Sequence, residues 1–157
     1  MITASELTLT AKDYDMAFTE VSFLLDMFVE TIVTFVGKST PSLAVAAGRR
    51  MADNMPVHMT EKTPEVAVRE LVRIFRIQQM EIDGRCSGSE AEITINHCPI
   101  RSVCLQRRME IDGQVCQMFH YYIAGILAEL TGCPVRPKTV STGESCTFSM
   151  AFSRPRQ

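Results

Sequence analysis

The sequence has little excess charge of either sign. Its 16 Lys and Arg against 18 Asp and Glu leave a formal charge of −2. The basic residues are scattered, so the electrostatic footprint expected of direct DNA or RNA binding is missing. A membrane-spanning run is missing too. The most apolar stretch, Tyr14 to Val36, is broken by Asp15, Glu20, Asp26 and Glu30, which a spanning helix would carry only at high cost. The opening MITASELTLT has neither a basic nor a greasy signal region, and the expectation is a soluble, cytoplasmic chain. There is no glycine-rich phosphate loop, no nucleophile elbow and no H-E-x-x-H pair. Catalysis therefore has no positive support. No low-complexity linker divides the 157 residues, a length that suits one domain with its own core. Within it, residues 1–78 read as mostly helical and residues 79–157 carry the cysteines.

What is present begins with MEIDG, at Met80 to Gly84 and again at Met109 to Gly113. Such spacing raises the question of a repeat. The flanks differ, however, and the shared Asp-Gly is expected to mark a chain reversal in each copy. Thr10 to Asp13 can cap a long first helix whose apolar face is read as Phe18, Val21, Leu25, Phe28, Ile32 and Phe35, with Gly37 as its end. A second helix starts at Ser39 or Thr40 with Pro41 in its first turn and stops at Asn54 and Pro56. In it, Ala44 and Gly48 allow a close neighbour. Thr63 caps a third helix that runs to about Ile77. In EAEITIN the period changes to two and turns Ala91, Ile93 and Ile95 inward. Gln114 to Leu130 is apolar almost all round, the mark of a buried helix, and Gly132 and Pro134 end it. VRPKTV and CTFSMAF read as closing strands joined by STGES, with Cys146, Phe148, Met150 and Phe152 on one face. Helices and strands that cluster rather than alternate predict an α+β fold: N-terminal helices, then a mainly antiparallel sheet with one long buried helix.

Four of the six cysteines fall at element ends or on inward faces: Cys98, Cys116, Cys133 and Cys146. Their spacing is too wide for a zinc knuckle, but it permits ligands from several elements to converge on zinc or an iron-sulfur cluster. Cys116 and His120 share a helix face, and strand alternation sends His97 to the apolar side. Either histidine, or Cys104, is a candidate to replace one cysteine, whereas Cys86 reads as peripheral. The competing reading is that these thiols simply pack as small hydrophobes. Arg69, Arg73 and Arg76, with Arg49 and Arg50, read as a solvated stripe rather than an anion site. Tyr121 and Tyr122 read as core that could also hydrogen-bond a ligand.

The combination of HCPI, VCQMFHYYIAGILAELTGCPV and STGESCTFSM resembles the 4-vinyl reductase, or hydrocarbon-binding, domain. It is more similar still to a related effector domain of iron-sulfur-sensing bacterial repressors. The resemblance covers roughly residues 84–152. It implies that Cys98, Cys116, Cys133 and Cys146 fall on metal- or cluster-binding positions. Zinc-binding, phenol-sensing members carry another cysteine just before the closing strand, where this chain has Lys138, Thr139 and Val140. No winged-helix segment is read ahead of the domain, so a repressor role implies a separate regulatory protein. The expectation is a non-catalytic, homodimeric sensor holding zinc or an iron-sulfur cluster beside a pocket for a small apolar effector. Two rival readings are an enzyme or accessory protein in tetrapyrrole or one-carbon metabolism and a structural interaction module with buried thiols.

Overall fold

A computed structural model describes residues 8–154; the first seven residues of the MITASELTLT segment lie outside them. The elements are α1 (Ala11–Val36), a single 3-10 turn at Gly37–Ser39, α2 (Thr40–Asn54), α3 (Pro64–Ile77), β1 (Glu81–Ser87), β2 (Glu90–Asn96), α4 (Pro99–Arg107), α5 (Gln114–Thr131), β3 (Val135–Ser141) and β4 (Ser145–Phe152). The four strands form one antiparallel sheet in the order β1-β2-β4-β3. This is the predicted α+β architecture. No helix among the described residues is long and apolar enough to cross a membrane.

Local chemistry sets most boundaries. The Thr10 hydroxyl accepts from the Asp13 amide and the Asp13 carboxylate accepts from the Thr10 amide, a reciprocal cap that starts α1. Thr63 accepts from the Val66 amide to start α3. Gly132, at φ 71, closes α5 by donating its amide to the Ala128 carbonyl. One face of the sheet, with Ile82, Ala91, Ile93, Ile95, Phe148 and Met150, packs against Val68, Leu71 and Phe75 of α3 and Ile123, Ile126 and Leu127 of α5. These side chains are almost fully buried and supply the main hydrophobic stabilisation.

Behind α5 lies α2, and the two backbones nearly touch. A Cβ on Gly48 would collide with the Tyr122 carbonyl oxygen and lie 2.9 Å from the Ile126 nitrogen. A Cβ on Gly125 would collide with the Val45 carbonyl oxygen. The predicted role of Gly48 in close packing is what the structure shows, and Gly125 is its counterpart.

Three sequence expectations need correction. Asp83–Gly84 is no chain reversal but lies inside β1, where a Cβ on Gly84 would sit 2.7 Å from Val68 Cγ1. The glycine is there so that α3 can approach the strand. The reversal comes later, at Gly88–Ser89, where Gly88 has φ 62, the sign a tight II′ hairpin needs at its first position. The second copy does turn, through Asp112 at φ 68. The segment 99–107, to which the sequence reading above assigns no helix or strand, is α4. Its pattern is barely amphipathic, and Pro99 in the first turn is its main start signal.

The third correction concerns α1. Of the six residues expected on its apolar face, Phe18, Val21, Phe28 and Phe35 are exposed; Phe35 is 84% so. The covered face is offset and comprises Ser22 and Val29, with Leu25 and Val33 half-buried. The offset has a polar cause. Asp26 accepts from Nε and Nη2 of Arg107 at 3.2 Å, the same guanidinium lies 3.5 Å from the centre of the Phe23 ring, and Gln106 donates to the Thr19 hydroxyl. These contacts pin α1 to α4.

Gly125→Ala should destabilise the fold by about 1–3 kcal/mol, the usual cost of forcing an extra carbon into a packed contact. Gly143→Ala, whose new Cβ would stand 3.8 Å from the Ser145 carbonyl oxygen, should be nearly neutral. Urea unfolding of the two variants checks the difference.

Candidate functional site

Where α4, α5 and β4 meet, four thiols converge. Cys98 is the N-cap of α4, Cys104 lies near the end of that helix, Cys116 is in the first turn of α5, and Cys146 is the second residue of β4. All four are buried and none is in a disulfide. The Cys104 and Cys116 sulfurs are 3.8 Å apart. Cys98, Cys116 and Cys146, with Phe119, His120, Phe148 and Arg101, line a chamber of about 10 Å³. This is room for about one water-sized occupant. Cys104 and Cys116 also belong to a small second core formed with Val29 of α1 and Val115. The chamber lies between this core and the main one.

His120 is buried and stacks on Phe148, with ring centres 4.4 Å apart. Its Nδ1 lies 3.4 Å from the Thr139 hydroxyl, which donates to Asp112 Oδ1 at 2.5 Å. A hydroxyl has one proton. With that proton directed to Asp112, Thr139 can only accept from the ring, so the neutral imidazole carries its hydrogen on Nδ1 and keeps the Nε2 lone pair free. A hydrogen bond of this kind fixes the ring's tautomer and holds a histidine ligand in its orientation. Gln117 braces it, donating to Asp112 Oδ1 at 2.6 Å and to Thr139 Oγ1 at 3.3 Å.

Burial dominates the electrostatics. It pushes the Cys116 thiol up to about 12 and raises Cys98 and Cys104 as well. The amides of Ile100 and Arg101 pull Cys98 the other way. Burial also lowers His120, against the opposing charge of Asp112. The chamber therefore favours neutral thiols and a neutral ring. Arg101 Nε is the one buried side-chain nitrogen or oxygen among the described residues with no hydrogen-bond partner, and it belongs to the residue lining this chamber.

The predicted site residues divide. Cys98, Cys116, Cys146 and His120 come together, and Cys104 joins them. Cys133 does not: it follows the far end of α5, roughly 25 Å along the helix from Cys116, and packs against the main core. His97 is a correction. It leaves the strand alternation because its φ is 49, and its side chain is 82% exposed and paired with Glu81 at 3.3 Å. Cys86 lies on β1, hydrogen-bonded to the Gly88 carbonyl. Two of the helical arginines face internal partners: Arg73 is bound to Glu70 and the Pro56 carbonyl, and Arg76 to the Ile82 carbonyl. Sequence reasoning missed Asp112, Thr139, Gln117 and Arg101. The Asp112-Gly113 turn dipeptide was the only local signal in the sequence for any of them.

Raised thiols make a signed prediction. A thiol whose folded value exceeds its ordinary 9.0 stabilises fully below that pH and loses the contribution as pH rises through it towards the folded value. Stability should fall from about pH 9 upward, with a shallower fall in Cys116→Ala. Denaturant unfolding between pH 7 and 11 measures both slopes.

No family model and no curated protein matches the chain. The resemblance to the 4-vinyl reductase domain therefore rests on its short motifs. Among solved structures, the chain is similar to the crystal structure of the phenol-responsive sensory domain of the transcription activator PoxR with phenol. The TM-score is 0.56 at 14% identity, over 83% of this chain and 73% of that one. This is a likeness of fold.

Proposed function

We propose that the chain is a non-catalytic sensor domain whose four converging thiols hold a thiophilic metal ion. The observation that carries this reading is the convergence itself: Cys98, Cys104, Cys116 and Cys146 arrive from α4, α5 and β4 in a single buried place. The 3.8 Å between the Cys104 and Cys116 sulfurs matches the edge of a tetrahedron with metal–sulfur bonds of about 2.3 Å. His120, with its Nε2 lone pair, is the alternative fourth donor. Among the described residues no three Cys, His, Asp or Glu side chains already stand together as a ready ligand group. Cys98 and Cys146 must therefore draw inward. When bound, the ion would cross-link α4, α5 and β4, and its thiolates would offer the unpartnered Arg101 Nε–H an acceptor. Room for one water-sized occupant suits a single zinc or iron ion better than an iron-sulfur cluster.

The response of the PoxR domain to phenol supports a sensing role for this shared fold. The placement of the thiols between α1's small core and the sheet supports the same reading, because a change there is felt by both. We also propose a cytoplasmic location, a reducing environment in which the buried thiols would stay available to a metal. We further propose a homodimer built on α1, whose Val21, Leu24, Phe28 and Phe35 are 61%, 53%, 57% and 84% exposed. Apolar faces of this extent mark association surfaces.

Elemental analysis of anaerobically purified protein should find about one zinc or iron per chain without acid-labile sulfide. Cys116→Ser and Cys146→Ser should lose it, while Cys133→Ser and Cys86→Ser should retain it. Sulfide in equal measure to iron would replace the single ion with a cluster. Absence of metal, with all six thiols free, would favour the structural module, and a chromophore with turnover would favour the enzyme. Separately, Phe28→Glu should halve the mass seen by light scattering without loss of helical circular dichroism.

A further inference from the structure

The four thiols are not equally reachable. Cys98, Cys116 and Cys146 line the chamber, whereas Cys104 stands behind Cys116, sulfur to sulfur at 3.8 Å, and is 0% exposed. It sits in the small second core, to which α1 contributes Val29 and the half-buried Leu25 and Val33. A buried metal site needs an entry path, and over this core the outermost element is α1.

That helix is lightly held. Of its 26 residues only Ser22 and Val29 are buried, against ten of 18 in α5, so little apolar surface secures it. Ser22 adds no hydroxyl bond to the body of the protein, because it donates to the Phe18 carbonyl of the same helix. The remaining hold is polar: Asp26 to Arg107, the Arg107 guanidinium over the Phe23 ring, and Gln106 to Thr19. Partly exposed ion pairs and cation–π contacts make weak latches. The link to α2 is equally permissive. Gly37 has φ 56 and ψ −124, angles that glycine alone adopts readily, and a Cβ there would meet nothing within 4 Å. This glycine therefore supplies backbone freedom rather than room.

We propose that α1 is a hinged cover for the thiol site: it swings about Gly37, lifts Leu25, Val29 and Val33 from the small core, and exposes Cys104 while the main core stays packed. Segments with few buried contacts open in this way without global unfolding, and the close contact of α2 with α5 lies outside the moving part. Opening gives an ion access to the one thiol of the four that does not line the chamber. Closure returns that thiol to an apolar core. This use of the cover rests on the metal reading above; the opening itself does not.

Labelling of the chelator-treated full chain with N-ethylmaleimide near neutral pH, read at each cysteine by peptide mass spectrometry, follows the opening. Phe23→Ala combined with Asp26→Asn removes two of the latches from α1 and should speed labelling of Cys104 by about fivefold or more, with Cys98 and Cys146 changed by less than about twofold. Gly37→Ala acts independently: it strains the closed angles and should also speed Cys104 selectively. Circular dichroism checks folding of both variants. Acceleration confined to Cys104 in either folded variant supports the cover. An unchanged Cys104 rate in both would overturn it, as would equal acceleration of Cys98, Cys104 and Cys146, which reports loosening of the whole fold. Metal content of untreated protein tests the thiol-site reading separately, since a mobile α1 can cover an empty site and a rigid one a filled site.

Discussion

The close approach of α2 to α5 governs the rest of the molecule. Two glycines, Gly48 and Gly125, remove the side chains that would otherwise hold the helices apart, and each presents its backbone to a carbonyl of the other helix. With α2 pressed on one side and the sheet on the other, α5 has little freedom to rotate or slide. Packed interiors resist such motion because they are as dense as organic crystals. That matters because α5 carries Cys116 and His120, which line the thiol chamber, and Gln117, Met118 and Tyr121, which line a neighbouring cleft. The geometry of the candidate site is therefore set by a contact on the opposite side of the helix, made by atoms that take no part in it.

Burial explains a second feature. Cys98, Cys104 and Cys116 lie where the protein interior raises the cost of charge, so without a metal they remain protonated and poorly nucleophilic. Such cysteines are quiet until something compensates their ionisation. A cation in the chamber and the Arg101 guanidinium, whose buried Nε has no partner, would do so together, and the Nδ1–H of His120 is already committed to Thr139. The site is better suited to holding than to reacting.

Much of the fold was legible because the local signals were strong. Thr10, Thr63 and Gly132 marked helix ends, alternation in β2 and β4 gave the inward faces, and Gly48 announced a close neighbour. What failed did so for identifiable reasons. Gly84 was read as a turn because a glycine that admits a neighbouring helix looks, in one dimension, like one that reverses the chain. The faint periodicity of α4 concealed it. The buried face of α1 was misplaced because hydrophobicity alone cannot foresee Arg107 drawing Asp26 inward. Within the site, the cysteines and His120 could be singled out by residue type. Their grouping could not, since the substitution of Cys104 for Cys133 depends on α4 lying across the start of α5. His97 was lost to a single positive φ.

The two edges of the sheet are unlike the helical surface. On β3, Pro137 contributes no amide hydrogen and the pairing with β4 shifts between Thr139 and Ser141. On β1, Glu81, Asp83 and Arg85 alternate outward as charges. Proline, irregular pairing and charge are the devices by which natural sheets refuse an added strand. Among the described residues the sheet thus ends at four strands, with edges that make poor templates for stacking into fibrils or for capturing an extended peptide. Among the described residues, then, the exposed side chains of the helices offer a better surface for association than backbone pairing at either sheet edge.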